Sequence, residues 1–187
     1  MESRSSFRVI GLDPGWAAFG WSILEIYDGG EASCIKAGVW RHKRNPKISK
    51  NLDAVERIRS IHEMVSNLAT DECALVGTES MSWTRFATSD RGVAMYWGAA
   101  ASAVANKAIV MTTPTDIKKF ITGRKSANKT EVIDAACERI PGLRGHLGSI
   151  RAKTMHNHAA DAAVAALIAG TKSDAGRITA TAFGVKL

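Results

Sequence analysis

The apolar positions fall first into three short β-prone runs. Phe7-Arg-Val-Ile-Gly-Leu-Asp13 is stopped by the turn pair Pro14-Gly15. Phe19 to Tyr27 and Ala32 to Trp40 follow, parted by Asp28-Gly29-Gly30, a hairpin signal, so the three runs predict a β-meander. Between Asn51 and Ala69 the period changes. Leu52, Val55, Ile58, Ile61, Val65 and Leu68 recur every three or four positions, the spacing of one face of an amphipathic helix. A further strand is expected over Cys73-Ala-Leu-Val-Gly-Thr-Glu79.

Residues 92–106, rich in Ala, Gly and Val, suit a tightly packed helix, and Ala108 to Thr112 reads as another buried strand. Thr113-Pro114-Thr115-Asp116 supplies an N-cap, a proline for the first helical position and an early acid, so a helix is predicted from there to Gly123. Asn128-x-x-Glu131 has the form of a capping box for another helix, ending at Pro141-Gly142. A long, basic, glycine-containing connection then leads to a last helix over Asn157 to Ala169. With no internal repeat and no second core, the expectation is one α/β domain over residues 1–170 and a C-terminal tail over 171–187.

Composition narrows the class. In 187 residues, 45% hydrophobic and 23% charged content excludes a disordered or collagen-like chain. The longest apolar stretch, Gly92 to Ala105, falls short of the roughly 20 residues that span a bilayer, and MESRSSFRVI offers no signal-peptide core, so a soluble protein without a membrane partner is expected. Cys34, Cys73 and Cys137 are odd in number and far apart. They support neither a zinc site nor a disulfide framework and fit a reducing cytoplasm. The net charge of +7 favours a polyanionic partner, so the placement of the cations matters.

Asp13 and Glu79 each end a predicted strand, with a predicted helix between the two strands. If these strands are parallel neighbours, both carboxylates emerge at the same carboxyl edge of the sheet, where open α/β sheets place their sites. The plainer alternative is that Asp13 starts a turn and Glu79 caps a strand. The last helix is more telling: His158-Ala-Ala-Asp161-Ala-Ala-Val-Ala-Ala-Leu-Ile is apolar all round apart from its first residue and one carboxylate. A helix of that kind is buried, and an unpaired carboxylate within it is costly. No Lys or Arg lies within a helical turn of Asp161, whereas a metal ion shared with other acids would satisfy it; His158, three residues earlier, shares its face. Three acids and a histidine drawn from two strand ends and a helix suit Mg²⁺ or Mn²⁺. Clusters of this kind commonly hold two ions for phosphodiester hydrolysis.

Taken together, Gly11-Leu-Asp13-Pro14-Gly15 with Gly20, the strand ending at Glu79, Pro114-Thr-Asp-Ile-Lys118-Lys-Phe-Ile-Thr-Gly123 with Ala127 and Lys129, and His158-Ala-Ala-Asp161-Ala occur in one order over residues 7–170. In this the chain resembles the RuvC family of Holliday-junction resolvases, within the ribonuclease H-like superfamily. The resemblance implies a five-stranded mixed sheet flanked by helices, a homodimer, and paired cuts in a four-way DNA junction during recombination and repair. It also implies a catalytic, metal-binding group of Asp13, Glu79, His158 and Asp161, with Lys118 and Lys129 beside the scissile phosphate. The chain departs from the family's pattern in three places. Many relatives carry an acid where His158 stands; Ser80-Met-Ser-Trp83-Thr-Arg85-Phe86 replaces the family's phenylalanine-bearing loop; and the connection from Gly142 to His156 is longer and basic. Trp83 and Phe86 are candidates to stack on an unpaired base, with Arg85 between them on the DNA.

Lys118, Lys119, Arg124, Lys125 and Lys129 form a basic cluster adjoining the proposed site, extended by Arg144, Arg151 and Lys153, and phosphate contacts from it would position DNA without reading sequence. The run Arg41-His-Lys43-Arg44-Asn-Pro-Lys47-Ile-Ser-Lys50 has five cations and no acid, as in a solvated loop or a DNA contact. The leading expectation is a metal-dependent endonuclease for four-way junctions. The alternatives are a less selective nuclease for forks, flaps and three-way junctions, and a non-catalytic junction-binding protein. An actin-like ATPase is disfavoured because the chain is short and lacks a second glycine-rich phosphate loop.

Overall fold

The computed structural model describes residues 4–80 and 87–187. The predicted meander is present as β1 (Ser6–Pro14), β2 (Phe19–Tyr27) and β3 (Ala32–Trp40), each antiparallel to the next. One 3-10 turn, Asp28–Gly30, joins β2 to β3, and its two glycines take φ of +77° and +71°, conformations that other L-residues rarely adopt. Helix α1 (Lys50–Leu68) then carries the chain to β4 (Cys73–Glu79), which lies parallel to β1. After α2 (Ala87–Ala103), β5 (Ala108–Thr112) adds in parallel beside β4, giving the mixed order β3-β2-β1-β4-β5. This is the five-stranded α/β sheet the sequence led us to expect.

Alternation along β1 divides the core in two. Ile10 and Leu12 point into a cluster with Ile61 and Val65 of α1 and with Tyr96 and Ala100 of α2. Phe7 and Val9 point to the other face, covered by α3 (Pro114–Thr122), α4 (Lys129–Arg139), α5 (Leu143–Ser149), α6 (His156–Lys172) and α7 (Asp174–Ala182). The predicted caps are in place. Thr113 accepts from the Asp116 amide, Gly123 ends α3 at φ +74°, and Asn128 and Glu131 close a reciprocal capping box on α4.

Helix α6 lies across β2, β1 and β4 with almost no space beneath it. A Cβ on Gly20 would stand 2.1 Å from the His158 carbonyl oxygen, one on Gly11 1.9 Å from that of Ala162, and one on Gly77 2.3 Å from that of Ala165. Gly11 and Gly77 are paired across β1 and β4, so the helix crosses three adjacent strands on a glycine track. Its own alanines complete the fit, and all residues from Ala162 to Leu167 are buried.

Several elements differ from expectation. The N-terminal half of α1 turns a different face inward: Leu52 and Val55 are 48% and 45% exposed, whereas Asp53 and Arg57 are buried. Asp53 accepts from the Asn45 amide (2.8 Å), His42 Nε2 (3.0 Å) and Arg57 Nε (2.9 Å), so a satisfied polar group takes the place of an apolar contact. β5 is a sheet edge rather than a buried strand, and Met111 is 53% exposed. The basic connection after Gly142 contains α5, anchored by the buried pair Leu143 and Leu147 at i,i+4. Beyond Gly170 the chain continues as α6 to Lys172 and then as α7, capped by Ser173 and set close on α6, where a Cβ on Gly176 would meet the Ala169 carbonyl at 2.3 Å.

Two outcomes are expected. Gly11→Ala puts a carbon against backbone that only a shift of α6 can clear, and should cost about 3 kcal/mol. Thermal denaturation should register this as a fall of roughly 6–12 °C. The Asn45 amide first, then His42 and Arg57, hold the Asp53 carboxyl down at about 2 against an ordinary 3.8. The stability this provides is therefore complete above pH 3.8 and lost as pH falls through about 2. In urea titrations Asp53→Asn should be less stable than the parent at pH 6, with the gap narrowing toward pH 2.

Candidate active site

β1 and β4 run side by side with Leu12 paired to Thr78, so the next residue on each strand, Asp13 and Glu79, reaches the same carboxyl edge. The glycine track brings the first turns of α6 over that edge. His158 Nδ1 and Asp13 Oδ2 share a hydrogen bond of 2.5 Å across 145 residues of sequence. Asp161, one turn along the same helix face, joins them. Asp13, Glu79, His158 and Asp161 all line one cavity of about 320 Å³, walled also by Pro114, Lys118, Lys129, Val132 and Asn157.

Local capping places the two lysines. Pro114 starts α3 and Lys118 lies one turn further, while Lys129 is the first residue of α4, whose amino end contributes the positive pole of the helix dipole. Lys119, Arg124 and Lys125 are exposed and do not line the cavity; Arg124 pairs with Glu131 at 2.8 Å. Trp83, Arg85 and Phe86 lie outside the described residues. Asn157, buried at the start of α6 and facing the cavity, was missed from the sequence, where it read only as a helix boundary.

The acids oppose one another. Burial first, then Asp13 and Asp161, push the Glu79 carboxyl up to about 9 despite Lys118 and Lys129. Burial and Asp13 likewise raise Asp161 to about 7, against the pull of His158 and both lysines. The hydrogen bond to Asp13 raises His158, favouring its imidazolium. The cluster therefore has less positive charge than its carboxylates call for, and its oxygen donors are those of a hard divalent cation. Among the described residues no three His, Cys, Asp or Glu side chains stand close enough together to hold a metal ion directly. Asp13, Glu79 and Asp161 nonetheless face common space that an ion and its waters would fit, and Nδ1 of His158 is already engaged by Asp13.

Similarity to known proteins falls on this frame. The family model for crossover junction endodeoxyribonuclease RuvC matches residues 9–169. The chain belongs to the RuvC family. A RuvC of Mycobacterium avium, named crossover junction endodeoxyribonuclease, is 31% identical over 128 residues, which is 67% of this chain and 65% of the relative. The RuvC of Parvibaculum lavamentivorans is 26% identical over 164 residues, 87% of this chain and 85% of that one. The chain thus spans about two thirds of the mycobacterial RuvC's length and most of the other's. Among solved structures, Thermus thermophilus RuvC in complex with Holliday junction substrate superposes with a TM-score of 0.69 at 23% identity, over 86% of this chain and 91% of that one. The yeast mitochondrial Holliday junction resolvase Ydc2 superposes with a TM-score of 0.56 at 11% identity, covering 88% of this chain and 79% of it. Both superpositions establish the ribonuclease H-like fold of the RuvC family. No helix among the described residues is long and apolar enough to cross a membrane.

If the acids need a cation, its removal must show in stability. Adding Mg²⁺ or Mn²⁺ to chelator-treated protein should stabilise it, by about 2.7 kcal/mol at a hundredfold excess over Kd, and so raise its melting temperature. Asp161→Asn should melt several degrees above the parent in chelator and respond less to the cation, at roughly 2–4 °C per kcal/mol for this size. Differential scanning fluorimetry checks both.

Proposed function

We propose that the chain is a divalent-cation-dependent DNA endonuclease that cleaves four-way junctions, acting as a homodimer. The observation that supports it most is the convergence of Asp13, Glu79 and Asp161 in one cavity with Lys118 and Lys129, in a chain of the RuvC family. When Asp13, Glu79 and Asp161 hold divalent cations, with Mg²⁺ the natural choice and two per site expected, the chemistry supplied is activation of a water and stabilisation of the leaving oxygen.

The chain's own residues prepare that reaction. Asp13 is buried at the end of β1 and held from the side by His158, so one carboxylate oxygen is oriented while the other remains open to the cavity. His158 keeps a proton at Nδ1 toward Asp13 and offsets repulsion among the acids. Lys118 and Lys129 face the acids from α3 and α4, where their ammonium groups hold a phosphate against the carboxylates and offset charge that grows as the bond breaks. Lys119, Arg124 and Lys125, further out, suit backbone contacts that orient the DNA without reading bases. A two-fold dimer presents two equivalent sites to a roughly two-fold junction, which accounts for paired cuts.

Asp13→Asn should reduce cleavage by about 10²-fold or more while leaving junction binding near the parent's in fluorescence anisotropy. Incubating four-way junction, fork, flap and linear duplex with Mg²⁺, Mn²⁺ or chelator tests the substrate. Junction should be cut first and only with a cation; equal cutting of forks and flaps would assign the broader selectivity instead. Cleavage in chelator would overturn the reading.

A further inference from the structure

The connection between β3 and α1 takes no part in the chemistry above, yet it builds a second cavity. This space, of about 650 Å³, lies between the turn after β1 and the connection, and is walled by Trp16, Arg41, His42, Lys43, Arg44 and Arg57. Arg41, Lys43 and Arg44 are exposed on its rim. Arg57 is different: it is only 8% exposed, and its Nε is held at 2.9 Å by Asp53. That carboxylate is already shared with His42 and the Asn45 amide, so it neutralises the wall only in part. The Arg57 guanidinium lies 5.1 Å from the centre of the Trp16 ring. Tyr96, stacked on Trp16 at 4.9 Å, is fully buried behind it. A buried arginine oriented by a satisfied acid, opening on a space ringed by three further cations, is built for an anion.

The aromatic wall and the location say which anion. Trp16 is 36% exposed and follows Asp13 by three residues, a span of at most roughly 11 Å in extended chain. A Cβ on Gly15, between them, would stand 3.4 Å from Cε1 of His158. The cavity therefore neighbours the acidic site along the same sheet edge. Tyr96, Arg57 and Gly92 pack on Trp16 and leave only part of the indole open, so the cavity suits a nucleotide with its phosphate on the guanidinium and ammonium groups and its base against the exposed part of the ring.

We propose that the Trp16–Arg57 cavity binds a nucleotide of the DNA strand that reaches the acidic edge, as a second anchoring site. The proposal rests on the reading of the Asp13 site as a DNA endonuclease. Its test is the salt dependence of binding to a fluorescent four-way junction, measured in the Asp13→Asn background so that the DNA stays intact. Combined Arg41→Ala, Lys43→Ala and Arg44→Ala, all at exposed positions, should weaken binding at least tenfold and flatten the log–log salt slope by about 2 to 3. Trp16→Ala should weaken binding about fivefold or more with the slope unchanged, and Trp16→Phe should restore most of it. Lys172→Ala, at the far end of α6, serves as the control cation. A triple variant with the parent's affinity and slope, or one that matches Lys172→Ala, overturns the cavity assignment while junction binding by the parent stands. Should the parent itself fail to bind branched DNA, the endonuclease reading falls and the cavity assignment with it.

Discussion

Backbone-to-backbone contact between α6 and the sheet is the constraint on which the rest of the molecule depends. Gly20, Gly11 and Gly77 leave no side chain between strand and helix, and the carbonyls of His158, Ala162 and Ala165 occupy the space where Cβ atoms would stand. A helix held at the usual distance by Leu or Val would stand several ångströms higher. His158 would then no longer reach Asp13, and Asp161 would clear the edge where Glu79 emerges. The functional group owes its geometry to missing side chains as much as to those present. The helix in turn can approach so closely because its lower face is alanine.

That arrangement concentrates negative charge where burial makes it costly. Glu79 and Asp161 are both pushed toward their neutral forms by burial and by their neighbours. Stability is given up locally, as is common where a site must be ready for a ligand. Partial compensation comes from three directions: His158 from the same helix, Lys118 from α3 and Lys129 from α4. The two lysines depend on ordinary helix caps at Thr113 and Asn128, so inexpensive local structure aims the charges that the active edge requires. The hydrophobic clusters on either side of the sheet absorb the loss.

Much of this was legible in the sequence because it was written locally. Turn pairs, a hairpin signal and cap residues marked the strands and helices, and a carboxylate stranded in an alanine helix pointed to Asp161 before any fold was known. What was hidden depends on partners distant in sequence. The apolar spacing of α1 is regular, yet its first half buries Asp53 and Arg57, because the β3–α1 connection folds back to supply the Asn45 amide and His42. Only the i,i+4 spacing of that Asp–Arg pair hinted at it. Leu143 and Leu147 were masked by the glycines and cations around them, and Ser173-Asp174 was the lone local mark of α7. Ala108 to Thr112 looked buried because composition does not tell an edge strand from a central one. The acids could be nominated individually, but their meeting rested on β1 and β4 being parallel neighbours, a matter of topology.

The glycine track has one more consequence, for adaptability. Because donors at 13, 79, 158 and 161 are mounted on main chain that touches main chain, their positions do not rely on how bulky core side chains interlock. Those four sockets can exchange occupants, and with them the ion or the chemistry, while the platform underneath keeps its shape. Thickening the platform is what it cannot tolerate: a single added methyl along the track would lift the whole row of sockets at once.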